Sequence, residues 1–159
     1  MAKVIYRKGE QKDLEAVLGL IQELANFEKA PDEVTLTLEE LTADGFGPNP
    51  IYSFFVAEED EVVIGFALFY EKYSTWKGRC LYLEDFYVQP AFRQMGVGER
   101  LFYMVKEEAR KRGSKRMEWQ VLDWNEIGLN FYKKHEAELD PTWFNGRFNF
   151  AQLQEKQWV

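Results

Sequence analysis

The apolar positions of this chain change period several times, and each change marks an element. "KVIYR" at 3–7 alternates as a short strand does. Leu14, Val17, Leu18, Ile21 and Leu24 then recur at helical spacing behind Asp13, a residue type that caps helices. "TLEELTADG" predicts a second helix, with Thr37 and Glu40 as a capping box and a stop at Gly45. "GFGPNP" breaks the chain. "IYSFFVAEE" and "VVIGFALFYEKY" flank the charged turn Glu59-Asp60-Glu61, the pattern of a β-hairpin. After the "STWKGR" loop, "CLYLEDFYV" reads as a third consecutive strand, rich in β-formers.

Beyond that strand the period turns helical again. Val97, Leu101, Met104, Val105 and the stem of Glu108 define a buried face that ends at Gly113. "RMEWQVL" is the next expected strand, Asn125 opens a helix over "NEIGLNFYKKH", and the aromatic tail "WFNGRFNFAQL" suggests one more strand. The order βααβββαβαβ predicts an α/β layer fold with an antiparallel front and a parallel step around each later helix. No repeat, linker or low-complexity segment divides it, so residues 1–159 are expected to form a single domain.

Composition narrows the partners. A net charge of -7 leaves no broad basic surface, so a nucleic-acid partner is not expected. No apolar run approaches the ~18 residues of a membrane span, and the charges interleaved in "MAKVIYRKGEQKDLEAVLGL" exclude a signal-peptide core. Cys80 is the sole cysteine, which rules out an internal disulfide and suits the cytoplasm. Cys80 reads as core and His135 as surface, since neither has a local activating motif. No His, Cys or carboxylate cluster has metal-ligand spacing, so no metal is expected.

Three patterns carry candidate chemistry. Arg93-x-x-Gly96-x-Gly98 stands where a strand hands over to a helix. Gly96 can take a positive φ, neither glycine has a Cβ to hold a ligand off, and first-turn amides favour an anion. A pyrophosphate suits that turn, with Arg93 available for a charge-assisted contact, although no P-loop or dinucleotide fingerprint is present. In the later helix Asn125, Gly128 and Tyr132 form one stripe, and spacing alone favours Tyr132 as a half-buried aromatic packed on the sheet. Finally, alternation along "LYLEDFYV" puts Tyr82, Glu84 and Phe86 on one face and Leu83, Asp85 and Tyr87 on the other. Two adjacent acids in an apolar strand imply that at least one meets a partner or a cavity.

"V-x-P-x-x-R-x-x-G-x-G" over 88–98 resembles the acetyl-CoA motif of the GNAT N-acetyltransferase superfamily, and "WNEIGLNFYKKHEA" resembles its second motif. "ELANFEK", "DGFGPNP", "YSTWKGR", "YLEDFYV" and "VLDWN" extend the likeness to the diamine (spermidine/spermine) N-acetyltransferases, closest to the branch that acetylates thialysine. The resemblance implies a mixed, mostly antiparallel central sheet, splayed at a parallel strand pair and flanked by helices. It implies acetyl-CoA as cosubstrate, held by Phe86, Tyr87 and Val88, by Arg93, Gln94, Met95, Gly96, Val97, Gly98 and Glu99, and by Asn125, Gly128 and Tyr132. A bulge near Glu84–Tyr87 would free a main-chain amide for the thioester oxygen.

The same resemblance makes Tyr132 the acid that protonates the departing thiolate and Glu84 the water-linked base. Such a base is useful because a primary amine, with a pKa of ~10, is almost wholly protonated at pH 7. Phe27, Glu28, Glu84, Asp85, Glu118, Trp119 and Gln120 would contact the amine substrate. The resemblance implies a homodimer, and the aromatic tail fits either an interface between copies or simple core packing. Three positions depart from the pattern. Glu136 stands where the family usually has glycine, which predicts a differently built helix end. Phe27 and Ser74 replace a tyrosine and an acidic residue of the polyamine enzymes, which weakens the case for a long polycation. A lysine-like amine therefore leads, with diamines second; a non-catalytic acyl-CoA sensor and a protein acetylase are the rivals.

Overall fold

A computed structural model of the chain describes residues 3–155. The chain divides into two compact units, Met1–Gln120 and Val121–Val159, each described here by itself. The first holds a five-stranded sheet in the order β1-β2-β3-β4-β5: Ile5–Lys8, Ser53–Glu59, Val62–Ser74, Gly78–Val88 and Met117–Glu118. Pairing is antiparallel except between β4 and β5. The mixed sheet with one parallel pair matches the expected fold class.

The β2–β3 turn lies at the expected charged residues. Asp60 and Glu61 adopt φ of 49° and 65°, the left-handed pair that a two-residue hairpin needs. Helix α1 spans Leu14–Phe27 and α2 spans Leu38–Phe46. The Thr37–Glu40 capping box forms as predicted. Asp13 does not cap α1. A 3₁₀ turn, Gln11–Asp13, precedes the helix, and the Asp13 carboxylate turns back to accept from Arg7 and from the Glu10 N–H. A buried carboxylate gains more from a guanidinium than from a helix amide, so the cation wins it.

Leu14, Val17 and Leu20 of α1 and Leu41 of α2 pack with Phe54, Val56, Phe66, Leu68 and Tyr87 into the core on one face of the sheet. Helix α3, Val97–Lys111, takes the other face with Val97, Leu101, Phe102, Val105 and Ala109 buried. Met104 is only half-buried; Phe102 fills the place expected of it, stacked near Phe86 with ring centres 5.9 Å apart. Strand β5 is two residues long, far shorter than "RMEWQVL" suggested, and its ladder stops after Leu81–Met117 and Tyr82–Glu118.

In the second unit, α4 spans Glu126–Lys134 behind the N-cap Asn125, as predicted. The aromatic tail is not a strand. Residues 139–149 carry no regular structure and α5, Phe150–Leu153, follows, opened by a capping box between Asn149 and Gln152. Trp143 Nε1 donates to Asp140 Oδ2 at 3.0 Å. Local side-chain bonds of this kind compete with a sheet ladder, and composition alone does not reveal them.

Candidate active site

The register between β3 and β4 decides how the acidic strand presents its side chains. Leu68 pairs with Asp85 but Phe69 pairs with Leu83, so Glu84 is an extra residue, a β-bulge. Strict alternation therefore fails here. Tyr82 opposite Tyr70, Asp85 opposite Leu68, and Tyr87 opposite Phe66 share the face that α1 covers. Leu83 and Phe86, opposite Phe69 and Ala67, turn to the α3 face. One inserted residue moves every later side chain of the strand by one step, which brings Asp85 to the side of Tyr82.

At the bulge, exposed Glu84 accepts a hydrogen bond from the Tyr70 hydroxyl at 2.8 Å. Burial, and next this bond, lift the Tyr70 phenol well above its ordinary 10. Asp85 is partly buried, and its carboxyl is pushed up to about 6, first by desolvation and then by the charges of Glu84 and Glu28. Glu28 follows the last residue of α1, and burial raises its carboxyl too. Three carboxylates thus converge at the open end of α1. Tyr70 was passed over in the sequence because only the hairpin register carries it to Glu84; a tyrosine in a strand is no signal by itself.

The glycine turn has the expected backbone. Gly96 has φ 80° and N-caps α3, Gln94 has φ 61°, and the first helical bond runs from Arg100 N–H to Gly96 O at 3.0 Å. The amides of Val97 and Gly98 thus belong to the open, positive end of the helix, a donor set that suits an anion such as pyrophosphate. Met95 is exposed, whereas the Val97 side chain is buried. Gly98 has a second reason to lack a side chain: a Cβ there would stand 3.3 Å from the Phe86 ring. Arg93 does not point away from the protein toward an incoming anion. Its Nε donates to Val88 O at 2.8 Å, and its guanidinium lies over the rings of Phe27, at 5.6 Å, and Tyr87, at 5.3 Å. Tyr87 and Gln89 in turn donate to the Glu23 carboxylate on α1, each at 3.0 Å. The turn is tied to α1 through these contacts.

Beyond β4, Glu118 sits between Lys72 Nζ at 3.3 Å and Arg116 Nη2 at 3.4 Å. Trp119 meets Phe102 edge to face at 5.3 Å, and Gln120 is exposed. Among the described residues, no group of three His, Cys, Asp or Glu is arranged to hold a metal, and no helix is long and apolar enough to cross a membrane.

In the second unit, Asn125 Oδ1 accepts from the Gly128 N–H at 3.0 Å. A Cβ on Gly128 would stand 2.7 Å from Asn125 Nδ2 and 3.1 Å from Val121, so a side chain there would press on the capping amide. Tyr132 is 7% exposed and meets Phe131 edge-on at 5.4 Å. His135, expected on the surface, is half-buried against the Phe131 ring at 4.7 Å. Glu136 adopts φ 58°, and the Ala137 N–H donates to Tyr132 O at 3.1 Å. The left-handed helix end is therefore built as a glycine would build it, with the strain accepted by glutamate, and not differently as expected.

The first unit thus joins a mixed sheet with a two-pair parallel ladder, a left-handed glycine turn opening a helix, and a bulged acidic strand. The Acetyltransferase (GNAT) family model matches residues 18–136, and the chain belongs to that family. It is 42% identical over 146 residues to thialysine N-epsilon-acetyltransferase of Bos taurus, covering 87% of this chain and 86% of that one. It is 33% identical over 162 residues to spermidine/spermine N(1)-acetyltransferase-like protein 1 of Homo sapiens, covering 96% of this chain and 23% of that longer protein. Among solved structures, an aminoglycoside N-acetyltransferase in complex with CoA superimposes with a TM-score of 0.75 at 22% identity, over 93% of this chain and 96% of that one. This chain is accordingly an acetyltransferase.

Proposed function

We propose that the protein moves an acetyl group from acetyl-CoA to the terminal amine of a small molecule, by direct attack within a ternary complex. Thialysine or a lysine-like amine leads as acceptor. The observation that carries this reading is the bulge: it puts Asp85 on the face that α1 covers, within reach of the charges of Glu84 and Glu28. Such a site attracts an ammonium and then takes its proton. The kinship with the bovine thialysine enzyme supports the same acceptor class.

Acetyl-CoA would supply an activated acetyl thioester, and the chain's own groups do the rest. Main-chain amides over 94–99 hold the diphosphate, aided by the helix dipole. Arg93 keeps that turn against Val88 and Phe27. Glu84 draws the amine proton through water, with Tyr70 holding its carboxylate. Tyr132 gives its phenolic proton to the departing thiolate. A cytoplasmic homodimer fits the exposed Trp143, Phe144, Phe148 and Phe150, which light scattering would test.

Replacing Tyr132 with Phe is expected to lower kcat by about 10²-fold or more while the affinity for CoA stays close to wild type. Equal turnover removes Tyr132 from the acid role. Thiol release measured with thialysine, lysine, putrescine and spermidine tests the whole reading. The absence of amine-dependent release would leave an acyl-CoA sensor. The human relative keeps a diamine as the second reading, and a preference for spermidine over thialysine would make it the first.

A further inference from the structure

The sheet face that carries Glu84 and Asp85 continues past them to a cluster of opposite character. Tyr70 and Tyr82 lie side by side with ring centres 5.4 Å apart. Lys72 Nζ stands 5.3 Å from the centre of the Tyr82 ring and 3.3 Å from Glu118. Glu118 is also reached by Arg116, whose Nη2 donates to Ser74 Oγ at 2.9 Å. Arg116 Nε is shielded from solvent and makes no hydrogen bond to any described residue. The Tyr82 phenol is raised by burial and then by the charges of both Glu84 and Glu118, so one ring links the two clusters. From the bulge outward, the face presents carboxylates, two aromatic rings, and then two cations around one carboxylate.

That sequence of charges does not suit a diamine. A second ammonium placed past Tyr82 would meet Lys72 and Arg116 along with Glu118. It does suit an α-amino acid, whose head carries one negative and one positive charge on neighbouring atoms. We propose that Lys72, Glu118 and Arg116 read the zwitterionic head of an amino-acid substrate, Lys72 and Arg116 taking the α-carboxylate and Glu118 the α-ammonium. The side chain then runs across Tyr82 and Tyr70, and its terminal amine reaches Glu84. This assignment rests on the transfer reaction proposed at the bulge and adds what selects the acceptor there. It also gives Ser74 a role: the hydroxyl holds Arg116 where an acidic side chain would compete with the incoming carboxylate.

The test compares lysine with cadaverine, which is lysine without the carboxylate. Wild type should prefer lysine in kcat/KM by tenfold or more, with most of the difference in KM. Lys72→Glu should lower kcat/KM for lysine at least tenfold and raise it for cadaverine, inverting the preference. Lys72→Met should narrow the ratio without inverting it. Lys72 is largely exposed, so neither change touches the core, and a thermal melt checks that. A lysine-to-cadaverine ratio that both variants leave unchanged would overturn the assignment. Calorimetric binding of the two ligands with CoA present separates this failure from that of the reaction. Lysine should bind wild type and be lost in Lys72→Glu even if no acetyl moves, whereas equal binding to both proteins sinks the head-group site alone.

Discussion

Two shielded aspartates in the same unit answer burial in opposite ways. Asp13, 4% exposed, accepts from Arg7 at 2.7 and 2.8 Å and from the Glu10 N–H at 2.8 Å. The guanidinium holds its carboxyl below the usual range although burial opposes this. At Asp85 burial and then two like charges push the carboxyl up to about 6. Arg7 also bonds Glu58, closing a network that joins β1, the turn before α1 and β2. The first cluster spends its charges on holding the fold together. The second keeps repulsion that a bound ammonium would relieve. In this unit the like charges gather at the candidate site, and the Arg7 network ties the scaffold.

The contrast predicts effects of opposite sign. Arg7→Met should destabilise the protein by about 2–4 kcal/mol, because it strands Asp13 and Glu58, the range being lowered for the part of Arg7 that faces solvent. Urea unfolding measures it, and a loss under about 0.5 kcal/mol would make the network dispensable. Asp85→Asn should instead stabilise by up to about 3 kcal/mol at pH 8 while lowering kcat/KM. A carboxyl raised from 3.8 to about 6 burdens the folded state fully above about 6. The burden fades between those values and is gone below 3.8, so the gain should have nearly vanished by pH 4. A gain that persists at pH 4 would mean packing and not charge.

Asp13 runs the other way. Its depressed carboxyl contributes stability above 3.8 that is lost as pH falls through the lower folded value, so acid removes the scaffold's share while relieving the site. Smaller in effect, Glu84→Gln removes one of the two charges acting on Asp85. The acidic limb of kcat/KM should then move to lower pH, with a reduced plateau. A limb that rises or stays would mean that another group sets it. A last change acts on the backbone: Glu136→Gly relieves a φ of 58° and should stabilise by about 1 kcal/mol in urea unfolding.

Much of the fold was legible because local chemistry wrote it. The Thr37–Glu40 box, the Asp60-Glu61 turn, Gly96 at the start of α3 and the Asn125 cap each act within a few residues. The Asp13 cap and the last strand were misread where a remote or side-chain partner outbid the local preference: Arg7 for Asp13, and the Asp140–Trp143 and Asn149–Gln152 bonds for the tail. At the candidate site, Arg93, Gly96, Gly98, Asn125, Gly128 and Tyr132 could be picked out from the two family motifs together. What some of them touch could not. Arg93 packs on rings, and Gly128 makes room for its own cap.

By itself the amino-acid order determined α1 to α4, the hairpin, the glycine turn and the family, since caps, turns and periodicity depend on neighbours in the chain. Tertiary structure alone decided which acid faces which partner. A single bulged residue at Glu84 reverses the phase of the strand, and strand phase is set by pairing with β3, not by β4. For the same reason Tyr70 reaches Glu84, and Lys72 and Arg116 gather at Glu118, only after three distant segments have entered one sheet.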